Sequence, residues 1–180
     1  MSAIRLEKIR CLYEDTVVLE NISFVVGEGE LFFIIGGSGC GKTTLLRCMT
    51  GLLKPDQGEI FYFGKNFLTE DEAERRVLLK KFGVLYQSSA LWSSMTVGEN
   101  ISLPLEEYTT LNKKDRCEVI ALKLAQVGLA GAEELYPSEL SGGMRKRAGL
   151  ARALALDPKL FFLMNPQEAL IQSLRRKLIN

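Results

Sequence analysis

The chain has no histidine, and its four cysteines, Cys11, Cys40, Cys48 and Cys117, share no metal-like spacing. Those two absences argue against a zinc centre or a disulfide framework. No apolar run approaches the roughly 18 residues that a membrane span needs. The opening stretch MSAIRLEKIR lacks the apolar core of a secretory leader, so the cytoplasm is the expected compartment, without direct membrane insertion. Neither sign of charge dominates: 23 Lys and Arg stand against 22 Asp and Glu, and a net charge of +1 gives no electrostatic case for nucleic acid. Repeats and low-complexity tracts are also missing. What remains is 180 residues, 47% hydrophobic and 25% charged, the composition of one globular domain or of a core with a small attached subdomain.

The most informative stretch is LFFIIGGSGCGKTT, residues 31–44. Residues 31–35 read as a buried strand, the chain breaks at Gly36-Gly37, and a helix is expected from Lys42. This fits G-x-x-x-x-G-K-[ST] at Gly36, Gly41, Lys42 and Thr43, in the required order of strand, loop and helix. Each part has a physical task in holding phosphate. Glycines let the backbone wrap and aim its N–H groups inward. The helix start presents the positive end of its dipole. Lys42 adds a mobile charge for the outer phosphates, and Thr43 offers a hydroxyl to Mg²⁺. The candidate phosphate-binding residues are Gly36, Gly37, Ser38, Gly39, Cys40, Gly41, Lys42, Thr43 and Thr44. Cys40 has two readings, a thiol made reactive by the nearby lysine and helix start, or a small residue that fits the loop.

Before the loop, short alternating segments over 4–35 predict β-strands joined by polar turns. Tyr13 lies in the first turn, either as an aromatic that stacks on a purine or as a surface residue of a hairpin. After the loop, residues 58–64 (GEIFYFG) read as a strand, 70–81 as an amphipathic helix with Ala73, Val77, Leu78 and Phe82 as its stripe, and 83–86 as a short strand. Residues 88–106 read as a loop with a short helical turn; Trp92 and Met95 there mark either a docking surface or local core. Residues 112–127 predict a helix with Cys117, Ile120, Leu124 and Val127 inward, closed by Gly128. Ser141-Gly142-Gly143 opens another helix and is a second, weaker candidate anion site. Residues 160–163 (LFFL) read as a buried strand, and the alternation after the loop points to a parallel α/β sheet.

With the segment Leu140-Ser141-Gly142-Gly143-Met144 in view, the chain resembles the ATPase subunit of an ATP-binding cassette (ABC) transporter from about residue 4 to Leu163. The resemblance implies an α/β P-loop NTPase fold: a RecA-like core, an N-terminal antiparallel β subdomain, and a helical subdomain over about 92–142, within a cassette of residues 1–163 that is incomplete at its C-terminus. It implies ATP and Mg²⁺ as cofactors, with Tyr13 stacking on adenine and Gln87 approaching Mg²⁺ and the attacking water. Ser141, Gly142 and Gly143 would bind the γ-phosphate of ATP held by a second, head-to-tail copy. Residues 88–106 would grip a transmembrane permease subunit, holding the protein at the inner face of the cell membrane. The runs LYQSSALWSSMTVGENISLPLEEYTTL and LAQVGLAGAEELYPSELSGGMRKRAGLARALALDPKL are similar to the ATPases of Mce/Mla-type lipid transporters.

The resemblance then breaks. Where the family carries a Mg²⁺-holding Asp and a catalytic Glu, this chain has Met164 and Asn165. A thioether does not hold a hard cation, and an amide is no general base. The D-loop aspartate and the switch histidine have no counterparts, and residues 164–180 are expected to be an aberrant tail. Loss of one base would account for this: CTG-GAT-GAA, Leu-Asp-Glu, becomes CTG-ATG-AA, the start of Leu-Met-Asn, and the tail's codons permit DEPTGGLDPISAAQAD one base out of frame. The expectation is a nucleotide-binding, hydrolysis-deficient lipid-transport ATPase. The alternatives are a non-hydrolysing regulatory module and an ABC ATPase acting outside transport.

Overall fold

The computed structural model of the chain describes residues 2–69, 71–86 and 89–164. The chain divides into two compact units, Met1–Lys80 and Lys81–Asn180.

The first unit is built on a four-stranded antiparallel sheet. Its strands are β1 (Ser2–Tyr13), β2 (Thr16–Gly27), β3 (Gln57–Tyr62) and β4 (Lys65–Asn66), in the order β2-β1-β3-β4. A register shift between Leu6 and Ile9, with Lys8 at φ 49, re-phases the alternation of β1, so that both residues are buried despite their odd spacing. Helix α1 (Lys42–Met49) buries Leu45, Cys48 and Met49. The buried Tyr62 donates its hydroxyl to the carbonyl of Met49 and meets Phe67 edge-on at 5.2 Å. Helix α2 (Glu72–Leu79) begins at Asp71, whose carboxylate accepts from the Glu74 amide at 2.8 Å.

The second unit pairs β5 (Phe82–Leu85) and β6 (Leu160–Leu163) in parallel, with α3 (Val97–Tyr108), α4 (Lys113–Gln126) and α5 (Gly142–Ala153) sharing one apolar core. That core includes Val97, Ile101, Leu105, Leu124, Leu140 and Ala148. Asn112 caps α4, and Gly128, at φ +70, follows its end as expected.

Several expectations are corrected. Residues 31–35 form no strand, and their side chains are exposed, Leu31 at 68% and Ile35 at 91%. A strand of a parallel core is held by ladder partners and facing layers, and neither sheet among the described residues includes this segment. The strand after the loop, β3, joins the antiparallel sheet rather than a parallel one. Residues 88–106 are more than a loop with a short helical turn: from Val97 the chain enters a twelve-residue helix, α3, that ends at Tyr108. A capping box secures its start: Thr96 Oγ1 accepts from the Glu99 amide at 3.2 Å, and Glu99 Oε2 accepts from the Thr96 amide at 2.8 Å. The stripe expected over 70–81 is narrower, since Val77 is half exposed and Phe82 begins β5, and Cys117 faces outward on α4.

Candidate functional site

The phosphate-loop sequence forms a turn leading directly into α1. Gly39 and Gly41 adopt left-handed backbone angles, φ +79 and +88. Gly41 is the residue that caps α1. A Cβ there would stand 2.7 Å from Leu19 Cδ2 and 3.0 Å from the Val18 carbonyl, so the helix start is seated against β2. At Gly36 a Cβ would stand 2.5 Å from Cys40 Sγ. The Lys42 ammonium turns back over the loop and donates to the carbonyls of Gly36 at 2.8 Å and Gly37 at 2.6 Å; Cys40 Sγ lies 3.5 Å away.

The donor set suits an anion. The first intrahelical bond of α1 runs from the Leu45 amide to the Gly41 carbonyl at 2.8 Å, so the earlier amides of the helix have no such partner. No acidic residue lies in the first turn of α1 to compete for them. Space around Gly37 and Gly39 is open, and Thr43 is exposed. The residue types suit a triphosphate chain with Mg²⁺: open space beside Gly37 and Gly39, amides at a helix start, a cation and an exposed hydroxyl.

Tyr13 belongs to the same unit. It ends β1 opposite Thr16, with 73% of its surface exposed, so its ring is free to cover a flat ligand. Ser141, Gly142 and Gly143 belong to the second unit and open α5. The Ser141 hydroxyl accepts from the Met144 amide at 3.2 Å, all three residues are exposed, and a Cβ on Gly143 would touch nothing within 4 Å. Met144 and the basic Arg145, Lys146 and Arg147 follow. Gln87 and Asn165 lie outside the described residues. Met164 is described: its amide donates to the Leu85 carbonyl at 3.0 Å and extends the β5–β6 ladder, which places a thioether at the carboxyl end of β6.

A family model described as ABC transporter matches residues 19–168. The chain belongs to the ABC transporter family. It is 42% identical over 152 residues to the intermembrane phospholipid transport system ATP-binding protein MlaF of Haemophilus influenzae, covering 84% of this chain and 58% of that protein. Against MlaF of Escherichia coli K12 it is 44% identical over 149 residues, 83% of this chain and 55% of that protein. A probable ribonucleotide transport ATP-binding protein, mkl, of Mycobacterium tuberculosis H37Rv is 39% identical over 153 residues, 85% of this chain and 43% of that protein. The chain thus spans about half the length of these curated relatives. Among solved structures, the dimeric bacterial ABC transporter cassette MJ0796 superposes with a TM-score of 0.86 at 27% identity, over 97% of this chain and 81% of that one. The same cassette in a post-hydrolysis state, a dimer bound to ADP and Pi, gives 0.85 at 26% identity, with the same coverage. The fold is that of an ABC ATPase cassette.

One feature of this ABC fold was not legible in the sequence. Arg152 of α5 donates from Nη1 to the Ala90 carbonyl at 2.8 Å and from Nη2 to the Ser89 carbonyl at 3.0 Å. Ser89 and Ala90 are both left-handed, φ 64 and 49, and Gly149 makes room for them, since its Cβ would lie 2.8 Å from Ser89 Cβ. Burial pushes the Arg152 guanidinium below its usual range. Glycine inside a helical pattern is the one faint signal that sequence offers here.

Proposed function

We propose that the chain is the nucleotide-binding part of an ABC ATPase serving lipid transport, binding Mg-ATP and hydrolysing it poorly or not at all. The observation that carries this reading is the Lys42 ammonium held over the carbonyls of Gly36 and Gly37, beside the start of a helix whose cap, Gly41, is left-handed. Residues 36–44 would hold the phosphates, Tyr13 would cover the adenine, and Thr43 and Gln87 would hold Mg²⁺. When bound, Mg²⁺ neutralises charge on the phosphate oxygens. Ser141, Gly142 and Gly143 would meet the γ-phosphate of ATP on a second copy arranged head to tail. Lipid as cargo rests on the likeness to MlaF proteins. A cassette with its helical subdomain over 92–142 would dock a permease through 88–106, at the inner face of the cell membrane. Consistent with that, Leu103 and Pro104 line a cleft of about 300 Å³ with Tyr86, Arg152 and Leu156.

Hydrolysis fails in this reading because Met164 stands where a metal carboxylate is needed and Asn165 where a base is needed. Losing both removes several kcal/mol of transition-state stabilisation. The same substitution favours a second reading, a regulatory module that binds nucleotide without turnover. Titration of the folded chain with a fluorescent ATP analogue and Mg²⁺ tests both at once. Saturable binding displaced by ATP is expected, with phosphate release no faster than in the absence of protein. A well-folded chain indifferent to millimolar Mg-ATP would sink both readings. A heterodimer with a competent ATPase, whose turnover the chain alters, would select the second.

A further inference from the structure

In the first unit, Cys11 of β1 and Cys48 of α1 face each other with their sulfurs 3.2 Å apart. Both side chains are buried, at 1% and 0% exposure. The backbone is fixed on each side of the pair. The Leu12 amide donates to Asp56 Oδ2 at 2.7 Å and the Asp56 amide to the Arg10 carbonyl at 2.9 Å, which pins the strand around Cys11. The Tyr62 hydroxyl on the Met49 carbonyl pins the helix beside Cys48. Two thiols in contact on separate, anchored elements form a dithiol site that phosphate binding does not use.

We propose that Cys11 and Cys48 are a modification site that closes reversibly to an intrachain disulfide, with a small hydroperoxide as the two-electron oxidant. A covalent S–S bond is about 2.05 Å long, so the sulfurs need approach by only about 1 Å, a movement within reach of side-chain rotation. The enclosure selects the oxidant, because a bulky disulfide such as oxidised glutathione has no room to form a mixed disulfide on a buried sulfur. Burial, reinforced by the hydrogen bond with Cys11, pushes the Cys48 thiol up to about 12, so Cys48 keeps its proton and serves as the resolving group.

The Cys11 sulfur attacks one peroxide oxygen, losing its proton to solvent, and the O–O bond breaks. Hydroxide leaves, and Cys11 becomes a sulfenic acid. The Cys48 sulfur then attacks the Cys11 sulfur, the S–O bond breaks, and the hydroxyl departs with the Cys48 proton as water. Two thiols and one hydrogen peroxide give one disulfide and two waters; each sulfur loses one electron and the two peroxide oxygens gain them. A dithiol reductant reverses the change by exchange once the bridge is exposed by unfolding.

The link would join the strand that ends at Tyr13 to the helix that begins at Lys42. That consequence rests on the nucleotide reading, whereas the disulfide itself does not. The test treats the reduced full chain with hydrogen peroxide, alkylates it in denaturant and maps its peptides. Two of the four thiols should be lost, one crosslinked peptide should join Cys11 to Cys48, and dithiothreitol in denaturant should restore all four. Oxidised glutathione should leave the pair reduced. The oxidised chain should melt higher by roughly 5 °C or more, as closing a long loop predicts. Cys11→Ala and Cys48→Ala should each abolish the link; if either variant misfolds, the wild-type map decides alone. A link through Cys40 or Cys117, a Cys11 arrested as sulfenic or sulfinic acid, four surviving thiols, or closure by oxidised glutathione would each overturn the proposal. Thiol counts need no nucleotide, so failure here and failure to bind ATP are separate results.

Discussion

The Lys42 ammonium donates to the Gly37 carbonyl oxygen at 2.6 Å, and the Gly36 carbonyl accepts from the same nitrogen at 2.8 Å. The cation that would meet an outer phosphate is thereby parked on the loop it belongs to. An entering phosphate competes with two neutral carbonyls, and it wins because its full negative charge attracts the ammonium more strongly than carbonyl dipoles do. Replacing Lys42 by Ala should weaken Mg-ATP binding by about 10–100-fold, from the 1.5–3 kcal/mol typical of a charged hydrogen bond. The melting temperature should barely move, since the bonds lost are exposed. An unchanged affinity in calorimetric titration would remove Lys42 from the site.

Gly41 is more tightly constrained. Its φ of +88 is poorly tolerated by other residues, and the space where a Cβ would go is filled by Leu19 and Val18. Gly41→Ala should therefore destabilise the first unit by about 2–4 kcal/mol, the sum of backbone strain and overpacking. Chemical denaturation measures this directly. Because the clash falls on β2, the cost should appear without nucleotide as well as with it. A change confined to the nucleotide-bound state would contradict this geometry.

What sequence revealed of the fold follows from where the signals are local. The phosphate-loop motif marks α1 correctly because glycine, lysine and threonine at fixed spacing carry the geometry themselves. β6 was legible as LFFL, and its parallel pairing with β5 agrees with the alternation. Residues 31–35 show the opposite case. Their apolar run reads as a buried strand, but a strand exists through its neighbours, and the described residues supply none. Helix α3 carries a local signal of its own, since Thr96 and Glu99 stand three residues apart as a capping box at its start. The left-handed pair Ser89 and Ala90 under Arg152 was invisible, because nothing in their side chains requires a positive φ.

Asn100 shows how a polar residue inside the core fixes a loop. It is fully buried, its Oδ1 accepts from the Trp92 amide at 2.8 Å, and its Nδ2 donates to the carbonyls of Trp92, Met95 and Thr96 at 3.1, 3.2 and 2.8 Å. Asn100→Ala strands those backbone groups and opens a small void. The expected loss is about 2–4 kcal/mol, from one or two unsatisfied buried groups. Trp92 is the only tryptophan, so its fluorescence reports on this loop without labelling. Its emission should change, and its quenching by acrylamide increase, below the unfolding transition. Unaltered emission with unaltered stability would show that other contacts hold residues 92–96.

The same buried thiol that takes part in the proposed disulfide sets an alkaline limit on the reduced protein. Burial pushes Cys48 from 9.0 in an unperturbed chain to about 12, and pushes the Tyr62 phenol well above its usual value as well. The native state therefore holds these protons more tightly than the unfolded state does. Below about pH 9 both states keep the Cys48 proton, and its contribution to stability is fully present. Between about 9 and 12 the unfolded chain releases it while the folded one does not, so stability falls as pH rises. Urea midpoints of the reduced chain should decline steadily from pH 8.5 to 11. Cys48→Ala removes one of the two responsible groups and should decline less steeply, with Tyr62 supplying the remaining slope. Parallel declines in wild type and variant would show that the thiol ionises equally in both states, and that its surroundings are wetter than the contact with Cys11 implies.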